Sequence, residues 1–314
     1  MISKAKWVIL NLSVLSFTSA HSNAMNTPPQ DERFTVNGSL GYLAGKSQEF
    51  VYDSQTGRKI SQLNWKINGA AVIKGEVNYK LRPWLNVNAQ GWITLANGNA
   101  VMDDYDWLNP FQKHWTDWSH HNDTDLRQGN EYDLSLQARF FQQSTLQLKA
   151  LLGYQRTLFS FLAKGGCYNY HSGMAIGCFP DDEIGIGYKQ TFSTPYIGVA
   201  GSYLINSLEF NGIFKFSNLV TGNDVDQHYQ RELTFKEGND HFNFYNLVVN
   251  AGYYLKPQIK LFAEGSFNYI PTKKTSTTIR NNSTQVVTYE NYGSAGLNNK
   301  YMLLSLGVQY KSMT

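Results

Sequence analysis

Charge is scarce in this 314-residue chain, where Asp, Glu, Lys and Arg together make up 16% against about 25% in a typical soluble domain. Past the N-terminus no run reaches the roughly 18 apolar residues of a transmembrane helix, so a helical membrane protein is excluded. The formal charge is only +3 and no Lys/Arg cluster stands out, which excludes a strongly basic nucleic-acid binder. Cysteine is confined to Cys167 and Cys178, and their spacing is not the Cys-x-x-Cys of a thiol redox motif. Proline stops at 8. What the chain has instead is 7 Trp, 20 Tyr, 18 Phe and 26 Gly. A soluble β-sandwich and a transmembrane β-barrel both fit that composition.

The N-terminus separates the two. Lys4 and Lys6 precede an apolar stretch from Trp7 to Phe17, followed by Thr18, Ser19 and Ala20. A basic segment, a short apolar segment and small residues together form a secretory signal. Residues 1–20 are expected to be that signal, with cleavage possible as late as Ala24. Export places the two cysteines in an oxidising compartment, where a Cys167–Cys178 disulfide is the default expectation.

Apolar and polar residues alternate repeatedly, as they do on a strand with two different faces. Leu134, Leu136, Ala138 and Phe140 interleave with Ser135, Gln137 and Arg139; Met302, Leu304, Leu306, Val308 and Tyr310 do the same near the C-terminus. The spacing predicts ten strands, at 33–50, 59–81, 84–97, 130–142, 145–169, 184–205, 207–221, 229–255, 258–272 and 298–310. Very short turns alternate with long connections at 97–130, 170–184, 221–232 and 271–297. Tight turns on one side and long loops on the other characterise outer-membrane barrels. The expected fold is therefore all-β: a ten-stranded antiparallel transmembrane β-barrel with long extracellular loops, protruding above the outer membrane. Ten strands enclose a narrow interior, which argues against an open porin channel.

Two acidic clusters lie on the long-loop side, Asp103-Asp104-Tyr105-Asp106-Trp107 and Asn223-Asp224-Val225-Asp226-Gln227-His228. On an extended chain Asp104 and Asp106 share a face, as do Asp224, Asp226 and His228. Inward parity in the third strand is even, which suits Asp104 and Asp106. In the seventh strand it is odd (Glu209, Asn211, Lys215), which turns Asp226 and His228 outward unless a bulge intervenes between Ser217 and Asp224. Solvated carboxylates or a divalent-ion site would account for these clusters. So would a hydrolase without a protein nucleophile, in which His228, oriented by Asp226, activates a water held by Asp104 and Asp106. His114, His120, His121, Asp123 and Asp125 crowd one loop, but no metal-ligand spacing accompanies them and no metal is expected.

At these residues the chain resembles the omptin family of outer-membrane aspartyl (Asp/His) proteases. Gly57-Arg58-Lys59-Ile60-Ser61-Gln62-Leu63-Asn64-Trp65-Lys66, Asp104-Tyr105-Asp106-Trp107, Ile186-Gly187-Tyr188-Lys189-Gln190 and Asp224-Val225-Asp226-Gln227-His228-Tyr229 carry the resemblance. It runs from about residue 35 to the last strand. It implies that residues 25–314 form a single β-barrel protease domain, probed by substrate from the cell exterior. It implies an Asp226/His228 dyad facing an Asp104/Asp106 couple, and endopeptidase activity at basic residues. Glu49 and Asp224 match the pocket for the residue before the cleaved bond, and Asp117 a position near the residue after it. A carboxylate pair there would favour Arg or Lys through charge-assisted hydrogen bonds.

Many omptins require lipopolysaccharide, bound by an outward-facing cluster. Of that cluster this chain keeps Tyr154, while Arg156, Leu158 and Thr191 depart from the pattern. Arg156 and Lys189 still face outward by parity and are expected to bind phosphate in another arrangement. No other cofactor is expected, and the partners implied are proteins or peptides with basic cleavage sites and outer-membrane lipid, for a monomer that binds no nucleic acid. A barrel acting mainly as an adhesin, with little or no proteolysis, is the alternative.

Overall fold

The computed structural model describes residues 33–312, so the N-terminal signal lies outside the described residues. Its strands are β1 (Phe34–Tyr52), β2 (Lys59–Arg82), β3 (Leu85–Thr94), β4 (Gly98–Asp106), β5 (Asp117–Gln142), β6 (Leu146–Lys164), β7 (Cys167–Tyr170), β8 (Ala175–Cys178), β9 (Ile184–Ile205), β10 (Leu208–His228), β11 (Leu233–Lys256), β12 (Ile259–Asn281) and β13 (Val287–Ser312). β3 and β4 are the lower and upper halves of one wall strand, both lying between β2 and β5. With them merged, the sheet runs β2-β1-β13-β12-β11-β10-β9-β6-β5 and closes on itself. The result is a ring of ten antiparallel wall strands. β7 and β8 form a side hairpin on β5, closed by the expected Cys167–Cys178 disulfide at 2.06 Å.

The outward apolar residues form a band of about ten residues per strand next to the short turns. Leu134 and Leu136 on β5, Leu247 and Val249 on β11, and Leu304 and Leu306 on β13 are exposed there. Tyr42, Tyr132, Tyr154, Tyr245 and Tyr269 rim its upper edge; Trp84, Tyr203, Tyr253 and Tyr310 rim its lower edge. Aromatic girdles of this kind mark the two interfaces of a bilayer.

Inside the band, the lumen is filled. Lys215 pairs with Asp133, which also accepts from Tyr196 Oη at 2.7 Å. Gln155 donates to Glu131 at 3.0 Å, and Tyr301 bonds the same carboxylate. Above this polar layer lies an aromatic one, in which Trp65 stacks on Tyr188 with ring centres 5.2 Å apart and meets Phe161 at 5.4 Å. Outside the membrane, water replaces lipid on the outer wall, so apolar side chains concentrate on the inner one and make a floor.

Several strands extend well past their sequence-placed limits, whereas β6 stops at Lys164, short of 169, where the chain turns into the β7–β8 hairpin. Within the connection expected at 97–130 lie β4 and the first half of β5; β12 and β13 likewise meet near 282–286 rather than 271–297. Above the bilayer both faces of a strand carry polar residues, so the alternation that locates the lower halves disappears although the hydrogen-bonded ladder continues.

Candidate active site

The site stands on the upper halves of β1, β4, β10 and β11. β10 carries the irregularity expected of it. Against β9, Phe216 pairs with Ile197 and Thr221 with Ser193, five residues against four. Against β11, the shift falls between Ser217 and Val220. Asn218 and Leu219 both face out, and the freed N–H of Leu219 bonds Ser217 Oγ at 3.0 Å. Inward parity thus changes from odd (Lys215, Ser217) to even (Val220, Asp224, Asp226, His228), all of them buried. One extra residue turns the second acidic cluster into the cleft.

There, His228 Nε2 and Asp226 Oδ2 are 2.6 Å apart. Burial disfavours the imidazolium, but the Asp226 charge and hydrogen bond outweigh it and raise the His228 pKa above its ordinary value. On β4, Asp104 and Asp106 face inward. Asp104 Oδ1 lies 3.4 Å from Ser61 Oγ on β2. Burial and the neighbouring Asp106 carboxylate push Asp104 up to about 8, while the His228 charge pulls it down. Asp106 is also raised, by burial first, with Asp117 adding to it and Arg231 and His228 opposing it. The two walls therefore sense each other's charge, as groups flanking a common cleft do.

Asp117 opens β5 directly across from Asp106. Its Oδ1 accepts the His171 N–H at 3.1 Å, whereas its Oδ2 is buried without a partner. Glu49 is inward and 1% exposed, with Oε2 unpartnered. Asp224 accepts from Tyr188 Oη at 2.9 Å and from the Glu237 N–H at 3.2 Å. Burial is the main cause that pushes the Glu49 and Asp224 carboxyls upward, and neighbouring carboxylates add to it.

Sequence reasoning missed Glu237. It is the cross-strand partner of Asp224, 3% exposed, and both its carboxylate oxygens are buried without a hydrogen-bond partner. Burial, then Asp224 and Asp226, raise its pKa well above the usual carboxylate range. It stayed hidden because β11 slips too, between the partners of Val220 and Gly222. Extrapolating the even inward parity of Phe242, Phe244 and Asn246 places Glu237 outside. Its apposition to Asp224 across a short hairpin was the one signal available.

Tyr154, Arg156 and Lys189 are not part of this cleft. All three are exposed on the outer wall of β6 and β9, with Tyr154 across from Pro195, Arg156 from Ser193 and Lys189 from Ser160. Lys189 stands four residues above Ser193, about 13 Å along the strand.

Comparison with known proteins agrees with this architecture. The model of the omptin family matches residues 30–312. The chain is 42% identical to the plasminogen activator of Yersinia pestis over 312 residues, covering 99% of this chain and 100% of that protein. It is 37% identical to protease 7 of Escherichia coli (strain K12) over 320 residues, covering 99% of each. The crystal structure of the outer membrane protease OmpT from Escherichia coli superposes with a TM-score of 0.86 at 37% identity, covering 91% of this chain and 99% of that one.

Proposed function

The chain belongs to the omptin family, and from that premise we propose that this outer-membrane protease cleaves peptide bonds at Arg or Lys using a water activated by Asp226 and His228. The observation that carries the proposal is the extra residue in β10, which delivers Asp226 and His228 to the wall opposite Asp104 and Asp106. A strand has no structural need to bury two carboxylates and an imidazole on one face, because each desolvated charge costs stability unless compensated.

In this mechanism Asp226 accepts from His228 Nε2 and leaves Nδ1 to take a proton from water. The raised pKa of His228 strengthens it as a base. Asp104, held near 8, keeps a proton at neutral pH and can donate while Asp106 accepts. Together they orient the water for attack on the scissile carbonyl; as the tetrahedral adduct collapses and the C–N bond breaks, His228 returns the proton it took to the leaving amine. No protein nucleophile is involved, so no acyl-enzyme forms.

Glu49, Asp224 and Glu237 form the receptor for the basic side chain before the bond, and Asp117 contacts the residue after it. Unpartnered buried carboxylate oxygens on Glu49 and Glu237 support this assignment, since a cationic guest satisfies them and a neutral one does not. On the outer wall, Tyr154, Arg156 and Lys189 contact lipopolysaccharide, which acts as lipid activator; the protein works as a monomer.

The test is cleavage of a dibasic fluorogenic peptide by purified protein, with and without rough lipopolysaccharide. Asp226→Ala and His228→Ala are each expected to abolish measurable turnover. Turnover unchanged in either variant refutes the mechanism. The adhesin alternative draws on Phe111, 96% exposed at the β4–β5 tip; it predicts surface binding that persists in His228→Ala.

A further inference from the structure

On the wall diametrically opposite Arg156 and Lys189, three lysines stand side by side. Lys46 of β1 is the register partner of Lys66 of β2 on one side and of Lys300 of β13 on the other. Their neighbours in sequence (Trp65, Ile67, Ser47, Asn299 and Tyr301) are buried inside the barrel, so all three lysines project outward. Cross-strand partners have Cβ atoms about 5 Å apart, and like charges placed so are destabilising. None of the three ammonium groups has a hydrogen bond or ion pair among the described residues. Asp103 acts on Lys46 from a distance, but its Oδ1 is already engaged by His120 Nδ1 at 2.7 Å and Trp118 Nε1 at 3.2 Å. The row carries positive charge that the protein itself does not neutralise.

Its height is fixed by the girdle. Tyr269 is the direct partner of Lys300. Tyr42 lies four residues before Lys46, about 13 Å along the strand and about 9 Å in height at a tilt near 45°. That is the headgroup layer of the outer leaflet. Immediately above the lysines runs an outward ladder of amides across the same strands. Asn298 Nδ2 bonds Thr272 Oγ1 at 2.9 Å and Gln48 Oε1 at 3.0 Å; Gln48 and Gln62 both donate to Asn64, the latter at 2.9 Å.

We propose that the outer face of β2, β1 and β13 is a binding site for the phosphorylated sugar headgroup of an outer-leaflet glycolipid, with Lys66, Lys46 and Lys300 on its phosphates and the half-buried amides of Gln48, Gln62 and Asn298 against its hydroxyls. The acyl chains then continue down the apolar band past Tyr42 and Leu40. β9 lies five wall strands from β1 in a ring of ten, so one headgroup cannot serve both this face and the Arg156–Lys189 face. The site neutralises a charge row that is otherwise a cost to the fold, and that separates it from surface lysines scattered singly.

The test is a titration of the full protein, in uncharged detergent, with diphosphoryl lipid A. It is run in an Arg156→Gln/Lys189→Gln background so that the lipid site under Proposed function contributes nothing and the two sites fail separately. Attraction of a basic residue to an anionic leaflet corresponds to about five-fold in affinity per lysine, so Lys46→Gln/Lys66→Gln/Lys300→Gln is expected to weaken binding on the order of a hundred-fold. Replacing all three by Arg restores it, and raising the salt concentration lowers it. Undiminished binding by the triple Gln variant overturns the proposal. So does equal affinity for dephosphorylated lipid A, or displacement of lipid A by inorganic phosphate at equal concentration, which would make the row a site for free phosphate. Far-UV circular dichroism checks that each variant keeps its sheet.

Discussion

At the scale of single residues, what distinguishes His228 is an upward pKa in a place where burial alone would lower it. The cause is Asp226 at 2.6 Å. A base whose pKa is raised loses its proton later, so the acid limb of kcat/KM is expected to fall above 6.5, the ordinary value for histidine. Asp226→Asn removes the charge and leaves the desolvation. The limb should then move below 6.5, with kcat down by about 10²- to 10⁴-fold, the usual worth of an oriented general base. A pH profile with an unmoved limb would assign that titration to another group. Glu237 makes a different demand. Glu237→Gln keeps its shape and removes its charge, so kcat/KM for an Arg peptide should fall about ten-fold, the lower end of what a hydrogen bond to a charged group contributes. Paired assays on Arg and norleucine peptides decide this, because loss on both alike points to distortion of the cleft and not to specificity. Of these residues Asp104, Asp106, Asp224, Asp226 and His228 were legible in the sequence because they are clustered at i, i+2 spacing. Glu237 was not, since nothing in its own neighbourhood marks which way it points.

The elements show why the legibility stops where it does. Each strand announces its lower half through lipid on one side and a polar lumen on the other, and this patterning located ten strands and all the short turns. Above the girdle the chemical contrast between faces vanishes, and strand ends there were misplaced, by nine residues at β4 and thirteen at β5. Parity across β10 was the exception: the mismatch between Lys215 and Asp226 required an added residue, and Asn218–Leu219 supply it. A counterintuitive outcome follows. Deleting Asn218 removes the extra residue, regularises the β9 ladder and leaves Asp224, Asp226 and His228 facing inward, so peptidase activity should survive. Inserting one alanine after Leu219 forces either a second irregularity or an outward dyad, and activity should drop more than 10²-fold while the barrel still forms. Equal loss from both changes would mean that the local twist of the bulge, not the direction it sets, is what the site needs. The β7–β8 hairpin is a smaller case. Its disulfide closes an 11-residue separation far from the bilayer, so Cys167→Ser/Cys178→Ser is expected to open that hairpin to limited proteolysis without unfolding the wall strands.

For the whole molecule, the cleft is where stability is spent. In the lumen below, the charged groups are paired: Lys215, Asp133, Tyr196, Gln155 and Glu131 bond one another across it. Above the aromatic floor the opposite holds, with Glu49, Asp104, Asp106, Asp224 and Glu237 all raised by burial and mutual repulsion. An acid with a raised pKa binds protons more tightly in the folded barrel than in the unfolded chain. By linkage, folding stability then falls as pH rises between the two values, for Asp104 between its ordinary 3.8 and about 8. His228 acts in the same direction, because the stability from its upward shift is full below 6.5 and is lost as pH passes the folded value. Activity runs the other way, since an unprotonated base and an ionised pocket serve cleavage. The two should therefore part company: from pH 5 to pH 7, where Asp104 keeps its proton, kcat/KM rises while the apparent thermal midpoint, measured in detergent at one scan rate, declines. Glu49→Gln and Glu237→Gln remove carboxylates that the fold would shed and that the proposed pocket uses. Each should raise the midpoint at pH 8, flatten its pH dependence and lower activity on basic peptides. A variant that loses both stability and activity would mean that its carboxylate already has a compensating partner in the folded barrel, and that the pocket is less electrostatically frustrated than its unpartnered oxygens indicate.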